Sequence, residues 1–124
     1  VEESLFDQVG GEAFFVRLVN AFYEAVETDE TLRPMYPDDL TDARRHLTLF
    51  LVQYWGGPRT YQEERGHPRL RMRHAPFRVT KSARDAWLAA MGAALESVRD
   101  ELSDEQMEEL SSYFVMAANQ LRNV

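Results

Sequence analysis

The sequence predicts an all-α fold, and three observations carry that reading. Apolar residues recur at spacings of three and four along four separate stretches, as the buried face of a helix requires. No stretch alternates apolar and polar residues in the manner of a half-buried strand. Capping residues, glycines and prolines stand where the periodic stretches begin and end. With 124 residues the chain reads as one domain over 1–124, of a size that buries about two-thirds of the surface its unfolded chain exposes.

Ser4 to Val9 is expected to form a short turn of helix that ends at Gly10-Gly11, where two residues without Cβ allow a sharp reversal and a left-handed cap. From Gly11 to Glu27, the residues Phe14, Phe15, Leu18, Val19, Phe22, Tyr23 and Val26 form a broad buried stripe. Thr28-Asp29-Glu30 caps a brief turn that Pro34 and Pro37 prevent from continuing, which leaves Tyr36 in a constrained corner. The next helix begins near Thr41 or Asp42, carries Ala43, Leu47, Phe50, Leu51 and Tyr54 on one face, and stops at Gly56-Gly57-Pro58. Arg59 to Gly66 show neither period and read as a long loop, which in a compact domain usually serves a function. His67-Pro68 opens a short helix that Ala75-Pro76 closes, with Leu70 and His74 on one face. Thr80 or Ser82 caps a longer helix that buries Ala83, Trp87, Leu88, Met91, Ala94, Leu95 and Val98. The last helix starts at Ser103, which forms a capping box with Gln106, and buries Met107, Leu110, Phe114, Ala117, Ala118 and Leu121.

Composition narrows the chemistry. The absence of cysteine excludes disulfides, thiolate metal sites and cysteine nucleophiles, leaving His, Asp, Glu, Tyr and Met as ligands. A net charge of −7 argues against nucleic acid or an anionic membrane as partner. No apolar run reaches membrane-spanning length and no signal-peptide pattern opens the chain, so a soluble cytoplasmic protein is expected. Charge is unevenly placed. Six arginines lie between Arg59 and Arg78, whereas Glu96 to Glu109 carries seven acids and one arginine. Such runs are ordinarily solvated faces, but the basic one also suits an anionic group held locally.

An up-down bundle is the first architecture that four helices suggest, and three features fit it poorly. The helix ending at His74 is too short, the stretch before it is long, and Tyr23, Tyr36 and Trp87 put polar tips on otherwise apolar faces. A buried phenol or indole N–H needs a partner, most often a carbonyl of the chain itself. Among the histidines, His46 lies one step off its apolar stripe and His67 opens a helix, whereas His74 shares a face with Leu70. By spacing alone, a lone histidine there is more often a hydrogen-bonded core residue than a ligand. Other metal sites fail on spacing. Glu64 and His67 make one Glu-x-x-His where a di-iron bundle needs two, and no third ligand completes a zinc site around His67 and His74. Neither G-x-S-x-G, nor a P-loop, nor G-x-G-x-x-G occurs.

The run Tyr54-Trp55-Gly56-Gly57-Pro58-Arg59-Thr60-Tyr61, followed by Gly66-His67-Pro68-Arg69-Leu70-Arg71-Met72-Arg73-His74-Ala75-Pro76-Phe77, resembles the group II truncated haemoglobins. Gly10-Gly11, Phe22-Tyr23, Tyr36-Pro37 and Asp85-Ala86-Trp87-Leu88 match the same family in order, so the resemblance runs from Ser4 to Asn123. It implies a two-over-two helical sandwich around a b-type haem, iron protoporphyrin IX. His74 would then be the proximal iron ligand, with its other ring nitrogen bonded to a nearby carbonyl. Tyr23, Tyr36 and Trp87 match the family's donors to the distal ligand. Ala43 falls where many globins place a histidine, leaving the gate open beside Leu47. Phe50 and Leu51 would line the distal face, and Phe22, Tyr54, Leu70, Met72, Phe77, Met91 and Met116 would enclose the rest. Arg73 and His46 would meet the haem propionates, since charge-assisted bonds suit a carboxylate at the pocket mouth.

The resemblance implies oxygen, nitric oxide or carbon monoxide as ligands. Three donors around one ligand favour slow release, hence oxygen, NO or peroxide chemistry or sensing, with activity of the NO dioxygenase or peroxidase kind and an unidentified electron donor. Oxygen storage or delivery to a partner oxidase is the alternative, and it requires fast release. A haem-free helical interaction domain is disfavoured by the presence of His74 with the full donor set. Assembly into a homo-oligomer is left open by the chain.

Overall fold

The structure is a computed structural model that describes residues 3–124. Short α1 (Leu5–Gln8) precedes the long α2 (Glu12–Thr28), and a 3₁₀ turn over Arg33–Met35 leads to α3 (Thr41–Tyr54). Then come α4 (Thr60–Arg65), α5 (Leu70–His74), α6 (Lys81–Ser97), a 3₁₀ turn at Arg99–Glu101 and α7 (Asp104–Leu121). Among the described residues no strand occurs, and no helix is long and apolar enough to cross a membrane.

Helix α2 packs along α6 and against α3, while α6 packs along α7, so α2 and α3 form one layer over α6 and α7. The stripe of α2 dictates this. Phe14, Phe15, Leu18, Val19, Phe22 and Val26 are fully buried, and Leu51, Met91 and Leu110 close around them from the three other long helices. Burying a large apolar side chain is worth about 1.5–3 kcal/mol, which makes α2 the centre of the core.

The capping signals act as their chemistry demands. The Ser103 Oγ accepts from the Gln106 N–H at 3.1 Å, and the Gln106 side chain accepts from the Ser103 N–H at 2.9 Å. Thr80 caps α6 by accepting from the Ala83 N–H at 3.1 Å. Helix α3 starts at Thr41, whose N–H donates to the Asp39 carboxylate at 2.9 Å. Gly56 and Gly57 end α3 for a packing reason as well. A Cβ on Gly57 would lie 2.7 Å from the Phe6 ring, and one on Gly56 would lie 2.5 Å from the Ser4 Cβ, so glycine lets α1 cross closely. The Phe6 N–H donates to the Trp55 carbonyl at 3.0 Å across that crossing.

Two expectations are corrected. The stretch from Arg59 to Gly66 is no loop, because its residues 60–65 form α4. Tyr61 is its one buried residue, packed edge-on to Phe50 at 5.7 Å, while the Gln62 N–H donates to the Gln53 side chain at 3.0 Å and Glu64 pairs with Arg45. One apolar residue in a six-residue helix has no period to reveal. The short helix before Ala75 starts at Leu70, later than His67-Pro68. The His67 Nδ1 accepts from the Arg69 N–H at 3.2 Å, a local turn that competes with helix and holds Arg69 at φ 44°.

Candidate functional site

A cavity of about 400 Å³ opens between the two layers, walled by α2, α3, α6 and α7 and closed on one side by α5. His74 lines it from α5, and its Nδ1 lies 2.7 Å from the Leu70 carbonyl oxygen. A carbonyl only accepts, so Nδ1 carries the proton and Nε2 keeps its lone pair. The local sequence sets this up, because residues four apart stack on one helical face.

Tyr23, Tyr36 and Trp87 line the same cavity from α2, the 3₁₀ corner and α6. The Tyr23 and Tyr36 rings meet edge to face at 5.6 Å, and the Phe22 ring lies 5.3 Å from Trp87. Burial pushes the Tyr36 phenol up to about 12, against the opposing pull of the Trp87 indole N–H. The Tyr23 phenol is raised further, by burial and then by the neighbouring Tyr36, although the Arg44 guanidinium over its ring pulls the other way. Both phenols therefore stay protonated at neutral pH and act as donors. The Tyr23 hydroxyl has a chain acceptor, the Ala43 carbonyl, at a long 3.4 Å. The Trp87 N–H faces the Tyr36 hydroxyl, whose pKa it lowers, and it has no carbonyl partner among the described residues.

Of the other expected residues, Ala43, His46, Leu47, Phe50, Leu51, Leu70, Arg73 and Phe77 line the cavity. Phe22 and Met91 are buried behind it, supporting the aromatic wall rather than forming it. Tyr54, Met72 and Met116 are exposed by 48%, 59% and 46% and lie away from it. Helical phase explains the last two. Met72 stands two residues from His74, and Met116 two residues from both Phe114 and Ala118, about 200° around the helix in each case. Tyr54 ends α3 and lays its ring 4.2 Å from Tyr113 at the surface.

The rim departs from expectation in its arginines. Arg73 uses Nε and Nη2 to donate to the Pro68 and Arg65 carbonyls at 2.8 and 2.9 Å, so it braces the backbone before α5. Arg65 also lines the cavity, with its guanidinium 5.7 Å over the Tyr61 ring. Burial, and then the charge of Arg65, lowers the pKa of His46. Sequence reasoning missed Arg65 and Tyr61 because their segment showed no period. As cavity residues it also missed Phe114, Ala117, Ala118 and Leu121, although it put all four on the buried stripe of α7, and it missed Tyr113, which lies off that stripe.

The arrangement fits haem. Among the described residues no group of three His, Asp or Glu side chains surrounds a bare ion, whereas one imidazole with a free Nε2 suits an iron whose equatorial positions a porphyrin supplies. A largely apolar cavity with a basic rim suits a flat apolar macrocycle bearing two carboxylates.

Known proteins agree. Residues 4–119 match the family described as bacterial-like globin. The group 2 truncated haemoglobin YjbI of Bacillus subtilis is 48% identical over 88 residues, covering 71% of this chain and 67% of that one. The crystal structure of a thermostable haemoglobin from the actinobacterium Thermobifida fusca superposes with a TM-score of 0.95 at 50% identity, covering 98% of each chain. A truncated oxygen-avid haemoglobin from Bacillus subtilis superposes with a TM-score of 0.91 at 40% identity, over 98% of this chain and 100% of the other. The chain belongs to the bacterial-like globins, as a group II truncated haemoglobin of the two-over-two fold, and so to the haem proteins that bind oxygen and similar small ligands.

Proposed function

We propose that this globin holds a b-type haem through His74 and retains a small ligand for oxygen, NO or peroxide chemistry or sensing in the cytoplasm, served by an electron donor. The observation that carries this reading is the donor set: two protonated phenols and an indole N–H without a carbonyl partner line one cavity with His74. Without cysteine, thioether attachment of haem is excluded. When bound, haem would supply a redox-active iron able to take a diatomic ligand.

The chain's own groups do the rest. His74 presents Nε2 in the tautomer that the Leu70 carbonyl enforces. Trp87, donor only, holds a partly negative ligand atom by its N–H, and Tyr36 supplies a second donor beside it. Tyr23 divides its proton between the Ala43 carbonyl and the ligand. Leu47, Phe50 and Leu51 exclude water, which strengthens each of these bonds. That the similar truncated haemoglobin from Bacillus subtilis is oxygen-avid supports slow release. A visible spectrum of the purified protein, then stopped-flow displacement of oxygen, tests the reading. Slow release supports chemistry or sensing, whereas release fast enough to feed a partner oxidase supports storage or delivery.

A further inference from the structure

Helix α5 has five residues and fully buries none of them, and Leu70 alone packs in part against the core, so neither helix propagation nor a broad apolar face holds His74 in place. Its N-terminal side is braced within the segment by Arg73, which donates to the Pro68 and Arg65 carbonyls. Its C-terminal side is braced from the far end of the chain. Asn123, just beyond α7, donates through Nδ2 to the Phe77 carbonyl at 2.9 Å and, more weakly, to the His74 carbonyl at 3.4 Å. The Asn123 Oδ1 accepts from the Val79 N–H at 2.9 Å, and the Asn123 N–H donates to the Val79 carbonyl at 3.0 Å. One side chain thus satisfies the Phe77 carbonyl beyond the helix and adds a second donor to the His74 carbonyl, which already accepts from the Phe77 N–H at 2.9 Å. It also clamps residues 74–79 onto the end of α7, whose Ala117, Ala118 and Leu121 line the cavity.

We propose that Asn123 is a positioning residue for His74: the Leu70 carbonyl sets the imidazole relative to α5, and Asn123 sets α5 relative to the cavity. The inference rests on the reading of His74 as the iron ligand. With the clamp removed, only the partly buried Leu70 and the Arg73 brace resist rocking of α5, so the ring samples a wider range of angles against the iron. A tether without this role would lower the melting temperature and leave the bond to iron unchanged.

The test compares Asn123→Ala and Asn123→Asp with the parent, all loaded with haem. The aspartate keeps the acceptor for the Val79 N–H, loses the donor and sets a carboxylate against two carbonyl oxygens. Three readouts apply: the iron–imidazole stretching band of the ferrous protein by resonance Raman, the rate of haem transfer to excess apomyoglobin, and amide hydrogen exchange across residues 74–79 with and without haem. The expected result is a shifted and broadened band, haem loss roughly three- to tenfold faster, as losing one or two hydrogen bonds dictates, and faster exchange across the segment. Arg122→Ala, which removes a side chain bonded to the Val124 carbonyl, leaves all three unchanged. Should the alanine variant not fold, the aspartate variant decides. A parent-like band and haem-loss rate in the folded Asn123 variants overturn the inference alone, provided His74→Ala abolishes the band. A parent without that band, or a His74→Ala protein that keeps it, overturns both the ligand assignment and the inference.

Discussion

The two walls of the cavity are held in place by different physics. On one side, Tyr23 and Trp87 stand on α2 and α6, two 17-residue helices joined by the deepest packing in the molecule. On the other, His74 stands on five residues with no buried member, held by hydrogen bonds from Arg73 and Asn123. Ligand donors placed by close packing are stiff, because shifting one displaces a whole helix face. An imidazole placed by hydrogen bonds is adjustable, since each bond is worth only about 0.5–1.5 kcal/mol. The division suits the function proposed for this globin, with stiff donors toward a ligand and an adjustable His74 toward iron.

The largest expected effect breaks the hydrogen-bonded wall at its functional atom. His74→Ala removes the imidazole that the Leu70 carbonyl orients in the cavity, and the purified protein should lose its haem absorption band. Next comes the packed wall. Phe22→Ala empties a fully buried site between Tyr23 and Trp87, and should cost about 3–5 kcal/mol of unfolding free energy. Phe77→Ala, half-exposed on the other side, should cost far less in the same denaturant titration. Parity between the two would refute the contrast.

Trp87→Phe sharpens the comparison at constant packing. A lost hydrogen bond to a partly charged atom costs about 1.5–3 kcal/mol, so oxygen should dissociate roughly ten- to a hundredfold faster. A less stable variant with an unchanged off-rate would instead mark Trp87 as core filler. Tyr23→Phe and Tyr36→Phe should each give smaller, non-additive changes, because the phenols neighbour each other and share one ligand.

The smallest effect concerns the rim. His46 titrates below its ordinary 6.5 in the folded chain, owing to burial and then Arg65. The unfolded chain therefore binds that proton more readily. Stability of the haem-free protein should be unaffected by His46 above its ordinary pKa and should decline as pH falls below it. His46→Gln removes that part of the decline, which thermal melts across pH 5 to 8 would read.

The long helices were legible because each carries its own evidence. Seven apolar residues on α2 at helical spacing, Ser103 with Gln106, and Thr80 before α6 are local signals, and each acts in the structure as its local chemistry requires. Helix α4 was not legible, since Tyr61 is its only buried residue and its partner Phe50 lies on another helix. The cavity lining was partly legible. Periodicity puts Phe50 and Leu51 on an inward face, but it cannot tell a wall residue from one buried behind the wall, as Phe22 and Met91 are. Arg73 passed for a surface cation awaiting a carboxylate because its acceptors, the Pro68 and Arg65 carbonyls, are backbone atoms with no signature in side-chain identity.

By itself the sequence determined the helical class, the main caps and breaks, the lack of thiol chemistry, and the pairing of His74 with Leu70, all of which depend on residues within a turn or two of one another. Only the tertiary structure decided that Tyr23, Tyr36 and Trp87 share a cavity with His74, that Tyr54, Met72 and Met116 face away from it, and that Asn123 clasps residues 74–79. The physical reason is range. Helix propensity, capping and face sharing act over a few residues and are written in local order, whereas the convergence of α2, α5, α6 and α7 follows from how four buried faces pack, which no short window contains.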